Sequence, residues 1–314
     1  MSLFRSRTRT PSNASADFAP ADAASENPRS ARAGRATRKA RTARSAVVIA
    51  GLAAAAIALS ACSSTSTATT HGLQTVTPGK LTIATGQPAY TPWVLNNKPS
   101  SGEGFEAAVA YAVAKQLGFS KSEVVWTRTT FDSAIAPGPK NFDFNLQQFS
   151  ITPQRKKAVD FSSPYYTTTQ AIVTEKGSAA YDVTSIAGLK KLRIGVPEGT
   201  TSYTVLQKEV GGTPQVYNSE DDAVLALKSG QIDAIAVDLP TAFYIASSEL
   251  KGGKVIGQFP DTAGGDKFGL VLEKNSPETK KVSAAVDALQ KNGTLAKLTK
   301  KWLSDTVHVP IFTK

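Results

Sequence analysis

From residue 80 to residue 302, short apolar segments with the composition of β-strands alternate with segments of helical periodicity. The first strand is predicted over 81–85, and a helix over 105–117 follows it, with apolar residues at every fourth position. A second series of the same kind includes a helix from 199 and a strand over 232–237. Such alternation is typical of an α/β fold, in which helices pack on the faces of a sheet.

Two extended segments, near 167–174 and 267–273, bracket the second series of elements. The simplest topology is one lobe made from both ends of the chain, with a second lobe inserted into it. We predict lobe 1 from residues 78–168 and 269–314, and lobe 2 from residues 169–268. The two crossings then form a hinge, and a ligand cleft lies between the lobes.

Residues 1–61 have the composition of a signal peptide with a long basic leader. Residues 1–45 contain ten Lys or Arg and three Asp or Glu, so they supply seven of the eleven net positive charges of the chain. The remaining charge is ordinary for a soluble protein, and we therefore expect no nucleic-acid partner. Residues 46–61 form an unbroken apolar run, which is short for a membrane span and typical of the core of a signal peptide.

The apolar run is followed by Cys62, the only cysteine of the chain. The segment LSAC at 59–62 resembles the lipobox of bacterial lipoproteins. This resemblance implies cleavage before Cys62 and a diacylglycerol on its thiol. Residues 62–77 would then be a lipidated tether that holds the protein at the extracytoplasmic face of the bacterial cell membrane. Because the chain has one cysteine and two histidines, we predict no internal disulfide, no metal site and no cofactor.

Six motifs are distributed over residues 78–305: LTIAT at 81–85, GFE at 104–106, SITPQR at 150–155 with DFS at 160–162, GVPEGT at 195–200, IDAIAVD at 232–238, and NG at 292–293 leading to Trp302. In type and order they resemble the family-3 periplasmic solute-binding proteins of polar amino-acid ABC transporters. One departure is Ala108, where the family commonly has a second acidic residue. The resemblance implies a two-lobed periplasmic-binding-protein fold of type II that closes on a free amino acid and delivers it to an ABC permease in the membrane. We expect a monomer without enzymatic activity.

A free amino acid presents a carboxylate, and the resemblance assigns its binding to Arg155 and Ser150. The planar guanidinium of Arg155 can form two parallel charge-assisted hydrogen bonds, which a lysine cannot match. Its neighbours Lys156 and Lys157 are interpreted as solvated side chains. Thr200, at the start of a predicted helix, adds a hydroxyl and free backbone amides that favour an anion. Because the arginine and this threonine belong to different lobes, one carboxylate bound to both would favour closure.

The ligand ammonium is assigned by the same resemblance to Asp238, at the carboxyl end of a predicted strand, where open α/β sheets place ligand groups. The resemblance also implies that Tyr90 and Phe131 enclose the ligand side chain, and we expect Trp93 to extend this aromatic wall. Aromatic faces also attract an ammonium group. Asp233, within the same strand as the predicted ammonium ligand, is interpreted as structural.

The identity of the amino acid depends on a few polar positions. Gly86 stands where some binders of basic amino acids carry an acid, which disfavours lysine or arginine, whereas Glu198 would favour them if it faces the cleft. Gln147 and Gln148 could pair with an amide or a hydroxyl, or could form a polar strand edge. We favour a neutral polar amino acid such as glutamine, with a cationic one second.

Two other functions stay open at this point. Some dehydratases of prephenate-like acids use the same architecture, and such an enzyme would need an acid or base in the cleft, for which Glu198 is the candidate. A ligand-sensing protein that acts with a receptor is the other alternative.

Overall fold

The structure is a computed structural model that describes residues 69–260, 265–303 and 309–314. The predicted signal peptide, Cys62 and the first residues of the tether, up to residue 68, lie outside these ranges. Among the helices within them, none is long and apolar enough to cross a membrane.

One of the two sheets contains strands from both ends of the chain, in the order β2-β1-β3-β10-β4. Strand β1 runs parallel to β2 and β3, whereas β10 is antiparallel to β3 and β4. The strands are β1 (Leu81–Gly86), β2 (Val124–Thr129), β3 (Phe144–Asn145), β4 (Val159–Thr168) and β10 (Asp266–Glu273). The sheet is the centre of the first lobe.

The second sheet is built from the middle of the chain, in the order β7-β6-β8-β5-β9. Strand β6 is parallel to β7 and β8, whereas β5 is antiparallel to β8 and β9. The strands are β5 (Gln170–Thr174), β6 (Ile194–Pro197), β7 (Gln215–Tyr217), β8 (Ala234–Asp238) and β9 (Lys254–Gln258). The sheet is the centre of the second lobe.

Helices pack on both sheets because each has an apolar face. The described α-helices are α1 (Phe105–Gln116), α2 (Phe131–Ile135), α3 (Ile186–Leu189), α4 (Thr201–Glu209), α5 (Glu220–Lys228), α6 (Leu239–Tyr244), α7 (Thr279–Lys291) and α8 (Thr294–Trp302). In α1, Val109 and Val113 are fully buried, as the four-residue spacing predicts. Residues 219–222, SEDD, fit the S-x-x-[DE] capping-box pattern, and the Ser219 hydroxyl caps α5 by accepting a hydrogen bond from the backbone N–H of Asp222 at 3.0 Å.

Each sheet has its own buried apolar core, which confirms the predicted two-lobed α/β fold. The chain passes from the first sheet to the second at Thr169, between β4 and β5, and returns between β9 and β10. The return crossing therefore precedes 267–273, the segment where it was predicted. Phe268, which the sequence assigned to lobe 2, is fully buried in the core of the first lobe, because β10 pairs along its whole length with β4.

The end of the chain also differs from the prediction, which placed 269–314 in lobe 1. Residues 309–314 pack on the second sheet, where Ile311 forms a parallel bridge with Gln258. The Phe312 ring is buried over Gly257, where a Cβ atom would lie only 2.5 Å from the ring. The second lobe therefore holds these residues by backbone pairing and by one buried aromatic side chain.

Candidate ligand-binding site

A cavity of about 210 Å³ is lined by residues of both sheets. The first lobe contributes the loop after β1, the start of α2 and the segment 147–155, and the second contributes the starts of α4, α5 and α6. Seven of the eight predicted binding residues line it: Tyr90, Phe131, Gln148, Ser150, Arg155, Thr200 and Asp238. Sites of this kind, concave and shared between two lobes, are typical of small ligands.

Arg155 is buried at the beginning of a short 3-10 helix. Its Nη1 donates to the carbonyl of Ser150 at 2.7 Å, and its Nη2 donates to the carbonyl of Gly199, in the other lobe, at 2.9 Å. The ring centroid of Phe131 lies 5.2 Å from the guanidinium carbon. Burial lowers the pKa of this guanidinium, while the charges of nearby aspartates oppose the shift. Since a guanidinium has five N–H donors, the two carbonyls leave donors for a ligand.

Hydroxyl groups from the two lobes meet beside this arginine. The Oγ of Ser150 and the Oγ1 of Thr201 are 3.3 Å apart. The predicted residue Thr200 lines the cavity, but its hydroxyl donates to the Pro197 carbonyl at 2.9 Å and does not cap α4. Sequence reasoning missed Thr201, because the motif alone does not reveal which of two adjacent threonines is turned toward the other lobe.

Asp238 ends β8 and is held by Gln170. The side-chain amide of Gln170 donates to Asp238 Oδ1 at 2.6 Å and to Asp266 Oδ2 at 2.7 Å, while Ser202 donates to the Gln170 carbonyl oxygen at 2.6 Å. Burial, and then the charge of Asp266, raise the pKa of Asp238 well above its usual range. A cationic ligand group here would offset that burial. Sequence reasoning missed Gln170, although a glutamine at the start of a buried strand was a usable signal.

Of the three aromatic residues that were predicted to enclose the ligand, two lie in the wall of the cavity and the third does not. Tyr90 and Phe131 line the cavity, whereas Trp93 does not. The Trp93 ring is only 1% exposed and packs edge-on against Phe105 in the first core. Its indole N–H donates to Thr241 Oγ1 in the second lobe at 2.9 Å. The tryptophan is therefore a core residue that joins the lobes.

Gln148 is held in position by hydrogen bonds to the buried side chain of Glu106. Its backbone N–H donates to Glu106 Oε1 at 2.8 Å, and its side-chain amide donates to Glu106 Oε2. The Tyr165 hydroxyl also donates to this carboxyl group. Burial raises the pKa of Glu106 to about 7, and these hydrogen bonds oppose the shift. Gln148 has a φ of 52°, a left-handed conformation that glycine adopts more readily.

Gln147 also lines the cavity, next to Gly86. A Cβ atom on Gly86 would lie 2.7 Å from the Gln147 amide nitrogen, so the glycine makes room for this side chain. The side-chain oxygen of Gln147, Oε1, is buried without a hydrogen-bond partner among the described residues.

Two glutamates line the second-lobe side of the cavity. Glu198 lines the cavity, which is the condition under which the sequence would favour a basic amino acid. Glu220, the first residue of α5, also lines it. Burial, followed by the charges of Asp221, Asp238 and Glu249, raises the pKa of Glu220 to about 8. The S-x-x-[DE] pattern at 219–222 indicates a helix start but not which side chain faces the cavity, so sequence reasoning missed Glu220. In the described ranges, no cluster of His, Cys, Asp and Glu could hold a metal ion.

The family described as bacterial extracellular solute-binding proteins, family 3, matches residues 81–305. The L-arginine-binding protein of Pseudomonas aeruginosa is 30% identical over 230 residues, which cover 70% of this chain and 86% of that protein. Among solved structures, an ancestral arginine-binding protein bound to glutamine is 30% identical, with a TM-score of 0.61, and covers 73% of this chain and 100% of its own. The ancestral amino acid-binding protein AncCDT-1, a precursor of cyclohexadienyl dehydratase, is also 30% identical, with a TM-score of 0.60, and covers 72% and 96%.

Proposed function

The chain belongs to family 3 of the bacterial extracellular solute-binding proteins, and we propose that it captures a free amino acid between its lobes for an ABC importer. The observation that carries this proposal is the placement of Arg155 and Asp238 on opposite lobes of one cavity. A zwitterion matches this arrangement, because its carboxylate suits the guanidinium and its ammonium suits the carboxylate. Tyr90 and Phe131 would enclose the carbon skeleton of the ligand.

Arginine is the first ligand to test. The L-arginine-binding protein of Pseudomonas aeruginosa carries this ligand in its name. The cavity here is lined by three acids, Glu198, Glu220 and Asp238, against one arginine, Arg155. Because a cationic ligand stabilises the ionised form of each of these carboxyl groups, the excess of acids favours a cationic amino acid over the neutral one that the sequence favoured.

Calorimetric titration tests the proposal. The chain from Ser63, which forms a compact unit of its own, would be titrated with each common amino acid. We expect at least one Kd below roughly 0.1 mM, a binding free energy of about −5.5 kcal/mol. If no amino acid reaches that affinity, the proposal is wrong.

We further propose that a lipid on Cys62 anchors the receptor beside its permease. The support is the LSAC segment that follows an apolar run. In bacteria fed a radiolabelled fatty acid, the full chain should carry label in the membrane fraction, and Cys62→Ala should carry none. A labelled Cys62→Ala chain would refute the anchor.

An enzyme remains the second candidate, because AncCDT-1 is a precursor of a dehydratase. Glu198 lies in the cavity, where it could act as a general acid. Incubation of the chain with prephenate-like acids tests this alternative. We expect no turnover, and turnover that Glu198→Gln abolishes would establish the enzyme.

A further inference from the structure

Resting on the proposed function, we propose that Glu220 selects ligands with a positively charged side chain and gives up a proton when such a ligand binds. The residue begins α5 in the second lobe and lines the same cavity as Arg155 and Asp238. Glu220 therefore lies in the wall of the cavity in which these two residues would hold the carboxylate and ammonium common to all amino acids.

The carboxylate of Glu220 has no hydrogen bond or ion pair within the described parts of the chain. The nearest cation of its own helix, Lys228, is 3.7 Å from Glu249 and is paired with that acid. A half-buried carboxylate without a counter-ion is unfavourable in the empty site, and a ligand cation would remove this cost.

The groups that face Glu220 are acids and tyrosines. Asp221 lies next to it on α5, Asp238 ends β8, and Glu249 comes from the π-helical turn after α6. The pKa values of Tyr90, in the loop after β1, and Tyr244, on α6, are raised in part by the charge of Glu220. Within the part of the chain that the structure describes, no arginine or lysine is among the groups that shift the pKa of Glu220. The surroundings therefore favour its protonated form until a cation arrives.

The pKa of about 8 in the empty site gives the direction of the pH effect. At neutral pH Glu220 is mostly protonated, and a cationic ligand stabilises the ionised form, so binding releases a proton. Affinity for the cation then rises as the pH approaches 8, by at most about tenfold per pH unit, and levels off above that pH.

Asp238, whose pKa is also raised, would bind the ammonium of any amino acid under the proposed function, so its contribution to proton release is common to all these ligands. The difference between arginine and glutamine isolates the contribution of Glu220, because these ligands share the same ammonium and carboxylate.

Titration calorimetry at pH 7 in phosphate and in Tris, whose ionisation enthalpies differ, measures this difference. We expect the wild-type chain to release more protons with arginine than with glutamine. In Glu220→Gln, the two ligands should release equal numbers, and the affinity for arginine should fall by roughly tenfold to a hundredfold. The affinity for glutamine should change by less than about threefold.

Asp222→Asn is the matched control, since Asp222 is an exposed acid of the same helical turn that does not line the cavity. This variant should keep the wild-type affinity for arginine, and it should still release more protons with arginine than with glutamine. Glu220→Asp, which retains a carboxylate, should keep part of the extra proton release, and this provides a readout if the glutamine variant does not fold. Equal proton release by arginine and glutamine in the wild type, or an unchanged arginine preference in Glu220→Gln, would overturn the inference while leaving amino-acid capture intact. If arginine does not bind the wild-type chain but another amino acid does, the inference about Glu220 fails while the proposed function stands, and if no common amino acid binds, both fail.

Discussion

At the scale of single residues, Arg155 combines two tasks. Its guanidinium donates to the carbonyl of Ser150 within its own lobe and to that of Gly199 across the cleft. Gly199 has a φ of 71°, and a Cβ atom there would lie 2.6 Å from Asp132 Oδ1. The glycine thus allows its carbonyl to approach the first lobe closely. The same side chain can therefore bind a carboxylate and hold the lobes together.

Arg155→Lys should weaken amino-acid binding at least tenfold. A lysine keeps the charge but cannot donate to two carbonyls and a carboxylate in one plane. Titration calorimetry with the best ligand measures the loss. Lys156→Arg, a similar exchange at the exposed neighbouring residue, should leave the affinity unchanged. An unaltered Kd in Arg155→Lys would remove this residue from the site.

Glu106 predicts a pH dependence of folding. Its pKa is about 7 in the folded chain, above the usual value for an unfolded glutamate, so ionisation disfavours the folded state. The stabilising contribution of the protonated form is therefore present at low pH and is lost as the pH rises toward and through 7. Between pH 5 and pH 7.5 the wild-type chain should lose up to about 3 kcal/mol more unfolding free energy than Glu106→Gln. Urea unfolding at the two pH values measures this difference, and parallel losses in the two chains would contradict it.

At the scale of elements, the segment 309–314 is bound to the second lobe close to a crossing between the sheets. The Gln258 backbone N–H donates to the Pro310 carbonyl, and its side-chain amide donates to that of Val309. The same side chain accepts a hydrogen bond from Thr169, at the crossing between the sheets, at 2.7 Å. Gln258 therefore binds the segment 309–314 and also contacts the crossing at Thr169.

Phe312→Ala should lower the free energy of unfolding by about 3 to 4 kcal/mol, because it removes a ring that is only 4% exposed. Urea denaturation measures the change. Ile311→Ala is the control, since that side chain is 57% exposed and should contribute less than about 0.5 kcal/mol. Similar losses for both variants would show that the ring is not an anchor.

The sequence predicted those elements whose information is local. The strand at 81–85 and helix α1 follow from apolar spacing alone, and the Ser219 cap follows from its motif. The docking of residues 309–314 could not be predicted, because it depends on pairing with distant β9 and on the space over Gly257. Trp93 was misplaced for a similar reason, since loop aromatics have no periodicity that distinguishes a core from a cavity. Glu220 was missed because the capping-box motif accounts for Ser219 as the helix cap but does not indicate the direction of the neighbouring Glu220 side chain.

At the scale of the whole molecule, the lobes are joined by polar contacts across the cleft. Besides Arg155 with Gly199, the indole of Trp93 donates to Thr241 and the hydroxyl of Ser150 approaches that of Thr201. These contacts belong to a closed arrangement, and their loss would shift the population toward an open one.

Trp93→Phe should shift the ligand-free molecule toward opening and weaken ligand binding by about twofold to tenfold, since it removes one hydrogen bond between the lobes and keeps an aromatic ring. Small-angle scattering should show a larger radius of gyration without ligand, and calorimetry gives the affinity. Trp126→Phe is the matched control, because Trp126 donates to Tyr111 within the first lobe. Equal effects of the two variants would contradict the assignment.

A crystal structure of the chain from Ser63 with L-arginine tests the central claim most directly. The account predicts the ligand carboxylate on Arg155, its ammonium on Asp238 and its guanidinium toward Glu220. An arginine bound in the reverse direction, or outside this cavity, would contradict it.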